Sequence, residues 1–176
     1  MMRRIVQGLV GPSGAGKTTV ARLMRMEYGF HRIHAAQPIK DAFCGAFGID
    51  EKWLDDNIDK PADFLGGALP RDILEQWGHH AYLIAPRALP IALDASLSET
   101  RRRKRILVDG IRRPSESDVA RLWHGKIIRV REYKGTDPKK PCDQTQIEVM
   151  ADYEIGAGGN IEKLQEQARK LLDSIL

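Results

Sequence analysis

The sequence has few cysteines, no long apolar run and no large excess of one charge. Only Cys44 and Cys142 occur among the 176 residues. Two cysteines are too few for a disulfide framework and they form no CxxC pair, so we expect reduced thiols in a cytoplasmic protein. The longest apolar region, 81–97, is interrupted by two prolines, an arginine and an aspartate. It falls short of the about 20 apolar residues that cross a bilayer, and no targeting segment is recognisable, so no membrane partner is expected.

Length and composition indicate a single globular domain. A chain of 176 residues with 42% hydrophobic and 30% charged residues is neither disordered nor fibrous. Its 28 basic and 24 acidic residues leave a net charge of +4. That excess suits a small anionic ligand and is too small to predict a nucleic-acid partner. The oligomeric state stays open, a homodimer included.

Short apolar runs alternate with amphipathic segments along the chain. This alternation predicts an α/β fold in three layers, with a parallel sheet covered by helices on both faces. Strands are predicted at 5–10, 30–35, 106–108, 127–130 and 152–155. Between them lie a mostly helical insert at about 36–100 and a polar loop at about 131–143. Ligands of such sheets bind at the carboxyl ends of the strands, so the chemistry is expected there.

A glycine-rich segment follows the first predicted strand. Residues 11–18 read GPSGAGKT and match the phosphate-loop pattern GxxxxGK[ST] in full. The glycines let successive backbone N–H groups surround phosphate, and the following helix offers its positive end. Lys17 is expected to reach the β- and γ-phosphates of ATP, and the Thr18 hydroxyl to bind Mg²⁺. The residues expected at this nucleotide site are Gly11, Ser13, Gly14, Ala15, Gly16, Lys17, Thr18 and Thr19.

A carboxylate ends another apolar strand. Asp109 follows Ile106–Val108, the position at which phosphoryl-transfer proteins hold Mg²⁺ or its water shell. The alternative is a turn residue before Gly110. With a phosphate loop in the same chain, the metal site is the favoured interpretation.

Arginines recur where strands are predicted to end and helices to begin. Each could be a solvated surface charge, but together they suit a second phosphate, because transfer between two polyanions requires positive charge. We therefore expect transfer of a phosphoryl group rather than a motor or a switch. A GTPase-like switch is disfavoured by the absence of an NKxD motif. The candidate catalytic residues are Lys17, Arg112, Arg129 and Arg131.

Several segments, in order over nearly the whole chain, resemble the deoxynucleoside monophosphate kinases of tailed bacteriophages. Besides the phosphate loop they are AQPIKD (36–41), KP (60–61), LPRDIL with WG (69–78), VDGIRRP (108–114) and DYEI with NIEKL (152–164). The Pro-Arg helix and the closing segment are the more particular ones. The chain departs from the family at Glu75, often glutamine there, at His79, usually threonine, and at residues 142–145.

The resemblance implies a P-loop kinase domain with five parallel strands, ATP and Mg²⁺ as the donor and a (deoxy)nucleoside monophosphate as the small-molecule acceptor. The insert would bind the acceptor and the loop 131–143 would close as a lid. A viral member of this family would act in the host cytoplasm. The implied acceptor-phosphate ligands are Arg71 and Arg112, with Lys40 and Arg113 beside them. Another small-molecule kinase, such as one acting on dephospho-coenzyme A, is the alternative.

Helix geometry adds a hypothesis about base recognition. Arg71 and Glu75 are spaced i and i+4 and so share a face of the predicted helix. Arg71 would hold the acceptor phosphate while Glu75 accepts hydrogen bonds from a base edge. The equally weighted alternative is a plain surface ion pair between the two.

Overall fold

The protein is described here by a computed structural model that covers residues 4–131, 148–156, 158 and 160–176. The predicted lid loop lies outside these residues except for Arg131, as does Cys142. The strands are β1 (Ile5–Val10), β2 (His31–His34), β3 (Arg105–Asp109), β4 (Lys126–Arg131) and β5 (Tyr153–Gly156). The helices are α1 (Lys17–Tyr28), α2 (Gln37–Phe47), α3 (Glu51–Asn57), α4 (Pro70–Ile84), α5 (Ala88–Glu99), α6 (Pro114–Leu122) and α7 (Ile161–Ile175), with a 3₁₀ turn at Asp63–Leu65.

The five strands form one sheet in the order β2-β3-β1-β4-β5, and every neighbouring pair is parallel. β1 is central, between β3 and β4. All five strands therefore end at the same edge, which carries the residues after Val10, His34 and Asp109. The predicted fold class, a five-stranded parallel sheet flanked by helices, is confirmed.

Each face of the sheet has its own apolar core. On one face Leu9, Leu107 and Ile128 pack with residues of α1 and α7, such as Met24 and Leu172. On the other face the alternate strand residues pack with α5 and α6. The main members of that second cluster are Val6, Val10, Ile106, Val108, Ile127, Leu93, Leu97, Val119 and Ala120. Because strand side chains alternate between faces, this division assigns each strand residue to one layer.

Local signals explain several helix ends. α1 stops at Gly29, whose φ of 67° is left-handed and whose N–H bonds to the carbonyl of Met24. α7 begins at Asn160, whose side chain accepts a hydrogen bond from the amide of Lys163 at 3.1 Å. The sequence predicts both ends, because glycine favours a left-handed helix stop and asparagine favours an N-cap.

Three local expectations differ from the structure. Serine is a common helix cap, which predicts that α6 begins after Ser115. The helix instead begins at Pro114 after Arg113, so Ser115 lies inside its first turn. Pro114 determines this start because its fixed φ suits the first helical position. The apolar spacing in α4 predicts that Ile84 shares one face with Ile73 and Trp77, but Ile84 is 84% exposed, so this face is not buried to its end. The short helix α3 is not predicted individually; it starts at Asp50, whose carboxylate accepts from the amide of Trp53 at 2.6 Å.

The chain divides into two compact units. The sheet unit comprises Met1–Ala35 and Leu93–Leu176, and the helical unit comprises Ala36–Ala92. Aromatic rings hold the helical unit together, with centroids 4.8 to 6.1 Å apart. These rings are Phe43, Phe47, Trp53, Phe64 and Trp77. Within the described ranges no helix is long and apolar enough to cross a membrane.

Candidate active site

The segment after β1 folds as a tight loop around the Lys17 ammonium. Lys17 is the first residue of α1, and its Nζ donates hydrogen bonds to the carbonyls of Gly11 at 2.5 Å and Pro12 at 2.6 Å. The Thr18 side chain beside it is exposed. The loop thus brings an ammonium, a hydroxyl and the positive end of α1 to one place, which is the chemistry that phosphate and its metal require.

Glycine is required where this loop begins and ends. Gly11 has φ of 150°, and a Cβ there would lie 2.2 Å from the backbone oxygen of Val130. Gly16 caps α1 with φ of 95°, a left-handed conformation that side chains disfavour. The pattern predicted from the sequence therefore has a steric reason in this chain.

Asp109 ends β3, beside β1, and bonds to an arginine of β2. Arg32 donates from Nε at 2.9 Å and from Nη2 at 2.6 Å, and both bonds end on Oδ2 of Asp109. The Asp109 side chain is 6% exposed and that of Arg32 is 33% exposed. Leu107 packs against α1, so Asp109, two residues further on, lies on that same face of the sheet. The Asp109 carboxylate, which is expected to bind Mg²⁺, is thus already paired with the guanidinium of Arg32.

The segment between β3 and α6 is fixed by a buried carboxylate. Glu116 is 4% exposed, and its Oε2 accepts a hydrogen bond from the backbone amide of Arg112 at 2.7 Å. Burial raises the pKa of Glu116, although this hydrogen bond and the charges of Arg113 and Arg112 oppose the rise. Arg112 and Arg113 are both half-buried. Glu116 thus determines where the backbone of these two arginines runs.

The two candidate arginines of β4 pair with β5. Arg131 forms an ion pair with Glu154, and the Nε of Arg129 lies 3.6 Å from the same carboxylate. Arg129 also donates to the carbonyl of Val149. It follows Ile127 on the face that packs with α6, whereas Asp109 lies on the opposite face. The structure therefore does not bring Arg129 onto the face that carries Asp109.

The two cations expected at the acceptor are each paired inside the helical unit. Lys40 Nζ lies 2.6 Å from Oδ1 of Asp55; the lysine side chain is 11% exposed and the aspartate 51%. Arg71 donates from Nε and Nη2 to the two oxygens of Asp59, and these side chains are 30% and 62% exposed. In both pairs the cation is the more buried partner.

The partner of Arg71 differs from the one that helix spacing suggested. Its guanidinium bonds to Asp59. The hydrogen bond from Asp59 raises the pKa of Arg71 against the effect of burial, and the charges of Asp59, Glu75 and Asp72 add to the rise. Glu75 is half-buried on the same helix. An ion pair with Glu75 therefore does not by itself account for the position of the Arg71 guanidinium.

Four charged residues around these candidates carry no motif and are missed from the sequence. They are Arg32, Asp55, Asp59 and Glu116. One signal was available: Arg32 and His34 alternate with the apolar Ile33, and such alternation puts the first two on one face of a strand. No comparable signal marks the pairing of Asp55 or Asp59. Across the described residues, no group of three His, Cys, Asp or Glu side chains is arranged to hold a metal ion.

Comparison with known proteins rests on the fold, because no protein-family model matches the sequence and no curated sequence matches it either. Solved structures do match. Shikimate kinase from Aquifex aeolicus is 14% identical over 96% of both chains, with a TM-score of 0.55. The protein TT1252 from Thermus thermophilus is 17% identical over 99% of both chains, with a TM-score of 0.54. Dephospho-CoA kinase from Campylobacter jejuni is 15% identical over 99% of this chain and 98% of its own, with a TM-score of 0.50.

The chain has the P-loop kinase fold. At these identities the likeness establishes the fold alone and leaves the acceptor open. Within that fold, the loop around Lys17 is the feature whose chemistry best suits phosphate binding.

Proposed function

We propose that the protein transfers the γ-phosphoryl group of ATP to the phosphate of a (deoxy)nucleoside monophosphate, giving ADP and a (deoxy)nucleoside diphosphate. The observation that carries this proposal is the loop around Lys17, in a chain with the P-loop kinase fold. The acceptor is the one implied by the resemblance to the deoxynucleoside monophosphate kinases of tailed bacteriophages.

On the donor side, Lys17 would exchange its two carbonyl partners for oxygens of the β- and γ-phosphates. Its short bonds to Gly11 and Pro12 fix the ammonium beside the positive end of α1. Bound Mg²⁺ would neutralise phosphate charge, held by the exposed Thr18 hydroxyl and by Asp109. The donor set fits this role, because Arg32 bonds to Oδ2 of Asp109 and leaves Oδ1 as the oxygen for the metal or its water.

On the acceptor side, Arg71 and Lys40 would bind the acceptor phosphate. Each cation is held by a carboxylate more exposed than itself. A phosphate that takes the place of the exposed Asp59 or Asp55 keeps the cation paired, so binding exchanges one anion for another and leaves no buried charge alone. Arg112 and Arg113, whose backbone Glu116 fixes, would stabilise the charge of the transferring group.

The reaction is an in-line displacement at the γ-phosphorus. An oxygen of the acceptor phosphate forms the new bond, the bond to the β–γ bridging oxygen breaks, and its electron pair stays on ADP. The attacking oxygen is already ionised near neutral pH, so no general base is needed and positioning with charge stabilisation carries the catalysis.

A hydroxyl-phosphorylating kinase is the second candidate, favoured by the structural similarity to the dephospho-CoA kinase from Campylobacter jejuni. A hydroxyl acceptor must lose a proton to a base. Asp109 is paired with Arg32 and is therefore poorly suited to accept that proton, which favours the phosphate acceptor. His34, which pairs with Asp109 in the sheet register, is the neighbouring base that such a reaction would use.

The deciding experiment measures ADP release from ATP with each deoxynucleoside monophosphate and with dephospho-coenzyme A. Phosphorus NMR of the purified acceptor product separates the candidates. A nucleoside monophosphate has one signal, which becomes two coupled signals in the diphosphate, whereas phosphorylation of dephospho-coenzyme A adds one uncoupled phosphomonoester signal to the diphosphate pair it already has. Lys17→Ala should lower turnover by at least about 100-fold through lost charge stabilisation. Lys52→Ala, an exposed lysine of α3, is the matched control and should change nothing.

Arg71→Ala tests the acceptor side separately. Losing a charge-assisted hydrogen bond to phosphate should raise the KM for the acceptor by about 10- to 100-fold while ATP binding stays unchanged. Arg87→Ala, an exposed arginine of the helical unit, is the control. An unchanged acceptor KM in Arg71→Ala would refute the acceptor assignment and leave the donor assignment standing.

Glu75 is proposed to select the base. A carboxylate accepts hydrogen bonds from two adjacent donors, which the edge of guanine offers. Glu75→Gln should then lower the preference for a guanine nucleotide over the other three acceptors. An unchanged order of acceptor preference would remove Glu75 from the acceptor site.

A further inference from the structure

A concave region lies at the amino ends of the strands, at the edge opposite the phosphate loop. Its volume is about 890 Å³, and it is lined at the starts of β1, β2 and β3 by Ile5, His31 and Arg105. β1 alone, with six residues, separates this edge from the phosphate loop by about 20 Å. We call this region the basic cavity. It is therefore separate from the site proposed for ATP.

The charged side chains that line the basic cavity have one sign. Among its described lining residues five are lysine or arginine and none is aspartate or glutamate. The five are Arg25, Arg102, Arg103, Lys104 and Arg105. The whole chain has a net charge of only +4, so its positive excess is concentrated here. Like charges so close together repel one another unless an anion lies between them.

Two of these cations, Arg105 and Arg25, have a structural role at the carboxyl end of α1. Arg105 Nη1 donates to the carbonyl of Tyr28 at 2.6 Å, and Arg25 lies in the last turn of α1. Both complement the negative end of that helix. Arg102 and Arg103 are exposed on the segment before β3 and are not needed for this purpose.

The segment that carries Arg102 and Arg103 has a fixed backbone. The amide of Arg103 bonds to the carbonyl of Thr100 at 2.8 Å, and the carbonyl of Lys104 accepts from the amide of Ile5 at 2.8 Å. The two side chains therefore start from a backbone of defined course. Guanidiniums suit phosphate oxygens, which they bind through paired N–H groups.

The size and the apolar part of the lining define the ligand further. A volume of 890 Å³ lies in the range of small-molecule sites, about 300–1,000 Å³, and is far larger than one phosphate needs. Ile5, Tyr28 and the 76%-exposed Met26 add apolar surface beside the cations. We propose that the basic cavity binds a nucleoside polyphosphate, with its phosphates on Arg102 and Arg103 and its base against this apolar surface. A single cavity of this size favours a small molecule over a nucleic acid, which needs an extended basic stripe.

The test is calorimetric titration of the full chain with ATP. We expect two sites per chain, of which Lys17→Ala weakens only one. Adding Arg102→Glu and Arg103→Glu to Lys17→Ala should weaken the remaining site by at least about tenfold, because two charge-assisted contacts are lost. Arg87→Glu with Arg101→Glu is the matched control. Both are exposed, lie outside the basic cavity and change the net charge equally, so they should leave the site intact.

Four results would overturn the proposal. They are a single ATP site in the unmodified chain, equal weakening by the two glutamate pairs, and equally tight binding of inorganic tripolyphosphate, which carries no base. The fourth is tighter binding of a single-stranded oligodeoxynucleotide than of ATP, which would make the cavity part of a nucleic-acid surface. None of these results bears on phosphoryl transfer at the phosphate loop, so the two proposals fail separately.

Discussion

Arg32 directs two hydrogen bonds, from Nε at 2.9 Å and Nη2 at 2.6 Å, to one oxygen of Asp109 on the neighbouring strand. Since the Asp109 side chain is only 6% exposed, Arg32→Ala leaves a buried carboxylate without its cation. We expect the free energy of unfolding to fall by about 2 kcal/mol, measured in urea. Arg22→Ala, an exposed arginine of α1, is the control; an equally small loss in both variants would show that the pair contributes little.

The same variant tests whether Asp109 binds Mg²⁺. Removing a cation that competes for the carboxylate should lower the Mg²⁺ concentration that gives half-maximal activity. Asp109→Asn should raise that concentration. If neither variant changes the Mg²⁺ dependence, Asp109 is a structural residue at the end of β3 and not a metal ligand.

Gly11 is expected to tolerate no side chain. A Cβ would meet the backbone oxygen of Val130 at 2.2 Å, and backbone cannot move aside as a side chain can. Gly11→Ala should therefore cost more than about 2 kcal/mol of unfolding free energy and weaken ATP binding.

Two other glycines serve as comparisons for the stability loss expected of Gly11→Ala. Gly29→Ala meets nothing within 4 Å but keeps a φ of 67°, so it should cost about 1 kcal/mol. Gly45→Ala, in the exposed middle of α2, should stabilise by about 0.5–1 kcal/mol. Urea unfolding of the three variants should give this order, and an equal cost at all three would contradict the steric explanation.

The sheet was predictable because its signals are local. β1 and β3 are short apolar runs followed by glycine or by Asp109-Gly110, and α7 carries its own cap at Asn160. The phosphate loop was predictable for a similar reason, since eight consecutive residues contain the whole motif. Such segments determine their conformation largely from their own sequence.

The partners of the charged residues were not predictable in this way. Arg71 has Glu75 at helical spacing but bonds to Asp59, 12 residues away, and Arg32 bonds to Asp109, 77 residues away. Ion pairs between distant segments depend on how the segments pack, which spacing along one helix cannot supply. The helix α3 was missed individually because its seven residues are too few to give a clear period.

Glu116 should make stability depend on pH. Burial raises the pKa of its carboxyl above the ordinary value of 4.5. Below that value the group is protonated in both states; as the pH rises through the raised folded-state pKa, the unfolded state is favoured and stability is lost. Glu116→Gln lacks this loss, so its stability relative to the unmodified chain should increase as the pH rises above 4.5. Asp118→Asn, on an exposed residue of α6, should show no such trend in urea unfolding.

Asp59→Asn should make Arg71 more available to the acceptor. The amide keeps the shape of the side chain but removes the negative charge that competes with an incoming phosphate. The pair is largely exposed on the aspartate side, so the stability loss should stay below about 1 kcal/mol, and the KM for the acceptor should fall by about two- to fivefold.

Asp56→Asn, an exposed aspartate of α3, changes the net charge equally and is the control for Asp59→Asn. The decrease in KM should disappear when Arg71→Ala is combined with Asp59→Asn, because the effect acts through the guanidinium. A decrease that persists in the combined variant, or that Asp56→Asn reproduces, would mean that general charge rather than Arg71 governs acceptor binding.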